Sequence, residues 1–405
     1  SAMTRNRNTS ALLLAAALGT AASTASAVDP MPVNDNGPVD FIPTLKVSQG
    51  YDDNIEETPD NEESSNVTKV APTFLLRAQE RANRYQVRYT PTFQRYSHDS
   101  DDNRVNHFAT ATSRLILDAR NRVNLGLNAR RNQATLSETN RDFNEDEGDI
   151  NERYTLDGTY TFGARGAKGQ IEIDGAYVWN RYSNNLTSGS NNQSEEYNSP
   201  RAGATFLWRV APRTQLLVEG RYADFDYTWS ESTLDSTNVS ALVGARWQAT
   251  AKTSGSLRVG REDKDFDDAG KDDTDANRWE AQVNWRPAPH SRVRLKTANA
   301  LEEGSQVEGA GENTIEQTSY NLRWDYDWDG QVSSNVGYRF RDKDYIGGGN
   351  DGRNDELHTV SVGVSYSFRR WLDFGFETRF KDNDSTNSNA EYDRNTYFLT
   401  ATLSL

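Results

Sequence analysis

From residue 360 to 368 every second side chain is apolar: Val360, Val362, Val364, Tyr366 and Phe368 alternate with Ser361, Gly363, Ser365 and Ser367. A period of two is the signature of a strand with one apolar and one polar face. The pattern recurs. Trp279, Ala281, Val283 and Trp285 oppose Arg278, Glu280, Gln282 and Asn284, and Tyr320, Leu322, Trp324, Tyr326 and Trp328 oppose Asn321, Arg323, Asp325 and Asp327. What constrains the fold most is the spacing between such segments. Short breaks at 79–83, 118–121, 163–168, 209–214, 248–253, 286–291, 327–331 and 368–371 alternate with long acidic, Asn/Ser/Gly-rich stretches. The long ones lie near 52–65, 97–105, 131–152, 183–196, 226–237, 262–276, 301–316, 342–357 and 381–394.

Eight short turns and nine long loops predict about 18 strands, an even number, with both ends of the strand array on the short-turn side. That is the layout of an all-β, single closed antiparallel transmembrane β-barrel, with short periplasmic turns and long extracellular loops. A soluble β-sandwich also alternates, but its hairpins have no fixed short/long polarity. Aromatics at strand ends, Trp328 and Trp371 beside short turns and Tyr227 and Tyr345 beside long loops, suit interfacial girdles. Backbone groups in lipid must all pair within the protein, so the sheet has to close. The last segment, "NTYFLTATLSL" (395–405), is therefore expected to pair with the first, "FIPTLKVSQGYDDN" (41–54).

The N-terminal region sets the compartment. Arg5 and Arg7 precede an apolar run, Ala11 to Leu18, and a small-residue stretch follows that closes on Ala25-Ser26-Ala27. This reads as a secretory signal cleaved after Ala27, since the run is far short of the roughly 20 residues that a helical span needs. Ser1-Ala2 ahead of Met3 reads as a cloning remnant. The expected organisation is a remnant plus signal at 1–27, a periplasmic segment at 28–40 and an outer-membrane barrel at 41–405. With no cysteine there is no disulfide framework and no thiolate metal site. A charge of −15 can accompany disorder, but nine Trp, 18 Tyr and 15 Phe argue against it.

If the apolar faces meet lipid, parity sends the polar faces into a lumen. The basic residues placed there are Arg77, Arg88, Arg122, Arg130, Arg153, Arg201, Arg221, Arg246, Arg258, Arg278, Arg294, Lys296, Arg323, Arg339, Arg341 and Arg379. The acids are fewer: Asp157, Glu172, Asp174, Glu219, Glu280, Asp325 and Glu377. Rings of Arg and Lys bias a pore towards anions, and the guanidinium fork suits carboxylates. The alternative is that these arginines pair with wall acids and fill the barrel. The loops hold the remaining acid. Asp52, Asp53, Glu56 and Glu57 are weak candidates for loop-bound Ca²⁺, without EF-hand spacing; a solvated loop is the plainer reading. No other cofactor is expected.

His98, His107, His290 and His358 are scattered, with no zinc spacing, and no nucleophile elbow, P-loop or dinucleotide fingerprint is present. No enzymatic activity and no nucleic-acid partner are expected.

Four stretches carry a resemblance: "PTLKVSQGYDDNI" (43–55), "VAPTFLLRAQ" (70–79), "YQVRYTPTFQRYSHDSDDNRVNHF" (85–108) and "RLILDARNRVNLGL" (114–127). Gly50 to Asn54 and Asp101 to His107 carry it most closely. They resemble the putative β-barrel porin 2 family, which includes outer-membrane barrels encoded with exopolysaccharide machinery. The resemblance implies a polysaccharide-linked outer-membrane protein and an export pore. It supplies no catalytic or binding residues. The strand number and Arg-rich lumen are also similar to alginate-exporter barrels, without a shared local motif. The expected function is a channel for export or passage of an anionic exopolysaccharide. Expected partners are outer-membrane lipid and lipopolysaccharide, anionic polysaccharide or oligosaccharide, and periplasmic export components. The alternatives are a general diffusion porin, and a plugged surface-binding barrel with the loop at 131–152 as plug.

Overall fold

The computed structural model describes residues 30–34, 37–134, 148–186, 191–250, 252–306 and 311–404. Eighteen strands form one sheet among them. In chain order they are β1 (Val39–Asp52), β2 (Ser65–Glu80), β3 (Asn83–Tyr96), β4 (Arg104–Ile116), β5 (Asn121–Gln133) and β6 (Ile150–Phe162). Next come β7 (Gly169–Tyr182), β8 (Tyr197–Ala211), β9 (Thr214–Tyr227), β10 (Ser236–Thr250), β11 (Thr253–Phe266) and β12 (Thr274–Ala288). The last six are β13 (Ser291–Ser305), β14 (Glu312–Asp327), β15 (Val332–Ile346), β16 (Asn354–Arg369), β17 (Leu372–Ser385) and β18 (Tyr392–Ser404). Each pairs antiparallel with its sequence neighbours, and β1 pairs with β18, from Thr44↔Ser404 to Asp52↔Thr396. The sheet is closed.

Parity sorts the two faces as the alternation predicts. Leu399 is 66% exposed and its neighbour Phe398 is 8% exposed; Val218 is 60% exposed and Leu217 is 3%. The exposed set is the lipid-facing wall and the covered set faces the lumen. Trp328 and Trp371 are exposed beside short turns, where girdle residues belong. Tyr227 and Tyr345 do not fit the girdle expected for them. Both are buried, and their hydroxyls donate to Glu303 (2.6 Å) and Asp355 (3.0 Å). They sit at strand ends, but their parity is inward, and parity decides.

The strands are longer than the amphipathic pattern implies. A tilted strand crosses hydrocarbon in about 9–11 residues, whereas these run 13–16. β11, β13, β15 and β17 continue into stretches expected to be loop. In Arg341–Asp344 and Lys381–Asp384 both faces are polar. Those residues stand above the hydrocarbon, where no apolar contrast marks a strand. β1 likewise starts at Val39, two residues before the expected barrel boundary at 41. The candidate signal at 1–27 and most of the candidate plug at 131–152 lie outside the described residues; 131–133 belong to β5 and 150–152 to β6.

Two apolar clusters lie inside the barrel. Ile55, in the β1–β2 loop, packs on Val67, Tyr96 and Phe398. Val178, Tyr197, Phe225, Tyr227 and Phe266 surround Leu234 of the β9–β10 loop. In both cases a long loop folds inward and buries an aliphatic side chain on the lumenal wall.

Candidate functional site: the lumen and its roof

One cavity of about 1350 Å³ runs along the inner faces of β4 to β15. At the short-turn end Arg114, Arg122, Arg165, Arg209 and Arg213 line it. Arg209 is fixed there by donating to the carbonyls of Arg165 (2.7 Å), Ala167 (3.3 Å) and Pro212 (2.8 Å). At the long-loop end carboxylates join the lining, with Glu195, Glu302 and Glu303 beside Tyr182, Tyr197 and Tyr227. The cavity is thus basic at one mouth and of mixed charge under the other, where Arg153, Arg201 and Lys343 share the lining with these carboxylates.

The roof is built by a hairpin that leaves the wall. β12 and β13 pair only as far as Trp279↔Asn299. Beyond that point Ala300–Ser305 crosses to the lumenal side chains of β11 and β9. The Leu301 amide donates to Glu262 (3.0 Å), and Glu303 takes the Lys264 ammonium (2.5 Å) and the Tyr227 hydroxyl. Lys264 has no exposed surface and lies 4.4 Å from the Phe225 and 5.5 Å from the Phe266 ring centroid, so its charge is held by one carboxylate, the Asn238 side-chain oxygen (3.2 Å) and two aromatic faces. Gln306 then ties three loops together. Its Nε2 donates to the Ser194 carbonyl and the Ser232 hydroxyl (2.9 Å each), and its Oε1 accepts from the Thr233 amide (2.9 Å). Glu195, in the same contact, is buried with one carboxylate oxygen lacking a hydrogen-bond partner. Burial, with Glu312 and Asp149 adding repulsion, pushes its carboxyl well above the usual range.

Of the arginines expected on the path, Arg153, Arg201, Arg221, Arg246, Arg258 and Arg278 line this cavity, with Arg122 and Lys296. Many are paired. Arg246 holds Glu172 by two bonds (2.9 and 3.2 Å), and Arg221 holds Glu280 by two (2.6 and 3.0 Å). Glu219 takes Arg221 (2.5 Å) and Arg258 (2.6 Å), and Arg278 bridges Glu280 (3.0 Å) and Glu262 (2.8 Å). Asp325 takes Arg294 (2.6 Å) and Arg323 (2.8 Å), while Arg77 sits 3.8 Å from Asp40. Among the described residues, Arg88, Arg130, Arg153, Arg201, Arg341 and Arg379 form no ion pair; Arg339, on β15, shares the inward parity of Arg341. The lumenal wall therefore joins two designs. Ion pairs cross-brace β7 and β9 to β12 most densely, while Arg88, Arg130, Arg153, Arg201, Arg341 and Arg379 present cations without an ion pair among the described residues. The rim arginines 114, 165, 209 and 213 were not anticipated. The signal was the run of cations in the short turns "GARGAK" and "RVAPRT".

The β1–β2 loop carries the four acids weighed for Ca²⁺, and each meets a nitrogen donor. Asp52 receives Arg394 (2.6 Å), and Asp53 accepts from the amide (2.6 Å) and side chain (2.7 Å) of Asn395. Glu56 pairs with buried Arg104, and Glu57 with Lys381 (2.7 Å) and Arg394 (2.8 Å). For Asp52, Glu56 and Glu57 these contacts supply the positive charge that a cation would otherwise bring, while Asp53 meets only neutral donors. Burial raises the Glu57 carboxyl, but Lys381 and Arg394 outweigh it and hold the group well below the usual range. Among the described residues no three His or acid groups assemble as a metal site. His107 and His358 sit on the outer face, hydrogen-bonded to Tyr89 (2.9 Å) and Tyr338 (2.8 Å).

A closed 18-strand barrel with an apolar outer wall and a charged lumen is an outer-membrane β-barrel of porin type, a transport class found in the bacterial outer membrane. The chain belongs to the putative beta-barrel porin 2 family, whose model matches residues 37–405. No curated protein sequence matches it. Solved structures similar in fold include three from Pseudomonas aeruginosa. OpdO has 12% identity and a TM-score of 0.47, over 90% of this chain and 98% of that one. OpdL has 14% identity and 0.44, over 90% and 99%. OccK2 (OpdF), solved in complex with glucuronate, has 11% identity and 0.46, over 90% and 98%.

Proposed function

We propose that the protein is a channel through which an anionic exopolysaccharide leaves the periplasm. The observation that carries this reading is the change along the cavity from a basic mouth to a lining shared with carboxylates. Five arginines line the mouth at the short-turn end, the periplasmic end in such barrels, and carboxylates line the roof. A polyanion is drawn to the basic mouth and is held less firmly under the roof, where carboxylates share the lining. Conduction needs this balance, with binding strong enough to enter and weak enough to leave. The family's association with exopolysaccharide machinery agrees with it, and periplasmic export components are the partners it implies.

The test is planar-bilayer conductance of the refolded protein. An anion-selective current, blocked by a uronate oligomer at lower concentration from the short-turn side than from the loop side, is the expected result. Cation selectivity, or a current indifferent to the oligomer, overturns the reading. A second reading, a closed barrel that displays its loops, is favoured by one observation: Gln306 bolts the β13–β14 hairpin to two other loops over the cavity. It predicts no current until that contact is cut.

A further inference from the structure

We propose that Arg153 and Arg201, which line the cavity under its roof, form with Arg130 beside them on β5 a binding site for the carboxylate of an acidic sugar. The proposal deepens the export reading and rests on it. Arg130 and Arg153 stand directly opposite each other on β5 and β6, with inward parity on both strands. Like charges in that position repel. Arg153 donates to the Tyr197 hydroxyl (3.0 Å). The Tyr197 ring packs edge-on against Phe225 (5.4 Å), and the Arg201 guanidinium lies 5.4 Å from the Phe225 centroid while donating to Ser199 (3.1 Å). Arg153 and Arg201 therefore converge on one aromatic pair, and Arg130 flanks them from the neighbouring strand.

What sets the site apart is the missing counter-charge. On the strands that follow, β9 to β12, Arg221, Arg246, Arg258 and Arg278 each hold a carboxylate. Among the described residues none of these three does. Asp157 and Asp174, the acids of the same wall, lie against Gly126 and Gly203 instead. Glu302 and Glu303 reach down from the roof, and their charge is felt by Arg201, but Glu303 is taken by Lys264 and neither forms an ion pair here. Half-covered guanidiniums without an anion are costly to keep. A visiting carboxylate relieves that cost, and the planar fork of arginine binds it by two parallel bonds.

The test uses the full-length refolded barrel. Current through wild type is titrated with galacturonate monomer, with glucose and inorganic phosphate as controls, and compared with R130Q/R153Q/R201Q and the corresponding triple lysine variant. Galacturonate binding to the detergent-solubilised protein is measured in parallel by calorimetry. The glutamine triple is expected to weaken galacturonate at least tenfold. The lysine triple is expected to keep its preference for chloride over potassium and still lose most of its galacturonate affinity, because charge remains and the fork does not. If the glutamine triple is blocked as well as wild type, the site is wrong and the anionic-saccharide channel stands. If wild type neither binds nor is blocked by galacturonate, both fall. Equal block by phosphate means a general anion patch and overturns the sugar-carboxylate assignment. Should the triple fail to show the heat-modifiable migration of a folded barrel, the single variant R153Q, expected to lose about threefold, decides, and no loss there overturns the site.

Discussion

Gly50 has no room for a side chain: a Cβ there would overlap the Tyr397 carbonyl and the Phe398 ring. It opposes Phe398 across the β1–β18 seam, and the residues after it finish the closure. Asp52 grips Arg394, Asp53 grips Asn395, and Asn54 donates to the carbonyls of Thr58 and Asp393 (2.9 Å each). The Gly-Tyr-Asp-Asp-Asn motif is thus a staple between the first strand and the last. Asp101–His107, the other family signature, grips the same loop through Arg104 and Glu56. Replacing Gly50 by Ala is expected to destabilise the barrel by roughly 1–3 kcal/mol, as overpacking does, read as a shift in the urea unfolding midpoint. Arg394→Gln is expected to cost more, about 3–5 kcal/mol, because Asp52 and Glu57 are left buried together. Glu57→Gln is the milder change, since Arg394 keeps Asp52. A larger loss in E57Q than in R394Q would show that Asp52 does not need the guanidinium. The motif was legible as a string; its purpose was not, because its partners lie over 330 residues away.

At the scale of elements, two loops that fold inward should answer pH oppositely. Glu57 is depressed by Lys381 and Arg394. Its stabilisation of the β1–β2 loop is present above the ordinary carboxyl value of 4.5 and is lost only well below it. Glu195 is raised by burial, so its contribution to the roof is full below 4.5 and fades as pH climbs through the elevated value. Protection factors, taken against the base-catalysed intrinsic exchange rate at each pH, are therefore expected to fall at 191–196 on raising pH and to hold at 53–64. Parallel responses would refute the assignment. Cutting the bolt with Gln306→Ala removes three hydrogen bonds, each worth about 1 kcal/mol net. The open fraction in single-channel recordings is expected to rise at least several-fold; an unchanged fraction would mean that the hairpin is not the gate. None of this roof was readable beforehand. Periodicity announces that β13 and β14 exist, but the departure after Asn299 depends on Lys264 and Tyr227, which no local pattern links to Glu303.

For the molecule as a whole, closure is the property that cannot be traded away. A chain ending before Tyr392 leaves β1 and β17 with bare edges in lipid, where unpaired backbone has no partner. Such a truncation is expected to show no heat-modifiable migration; a folded band would mean that 17 strands can close. Strand number, face assignment and closure were all legible, since each follows from a period of two and a short/long rhythm. The candidate site was legible only in part. Parity pointed Arg153 and Arg201 inward, but could not tell them from Arg221 and Arg246, whose acids come from 59 and 74 residues away. The seam also sets the tempo of assembly. The Asp52–Arg394 bond spans 342 positions, almost the longest separation the described strands allow, and chains whose decisive contacts are so remote fold slowly. Every intermediate before that bond forms is an open sheet with two sticky margins. The cell must shelter such a chain for its whole transit and until its two ends meet, and a variant that delays their meeting would show first as lost protein, before any change in what the pore conducts.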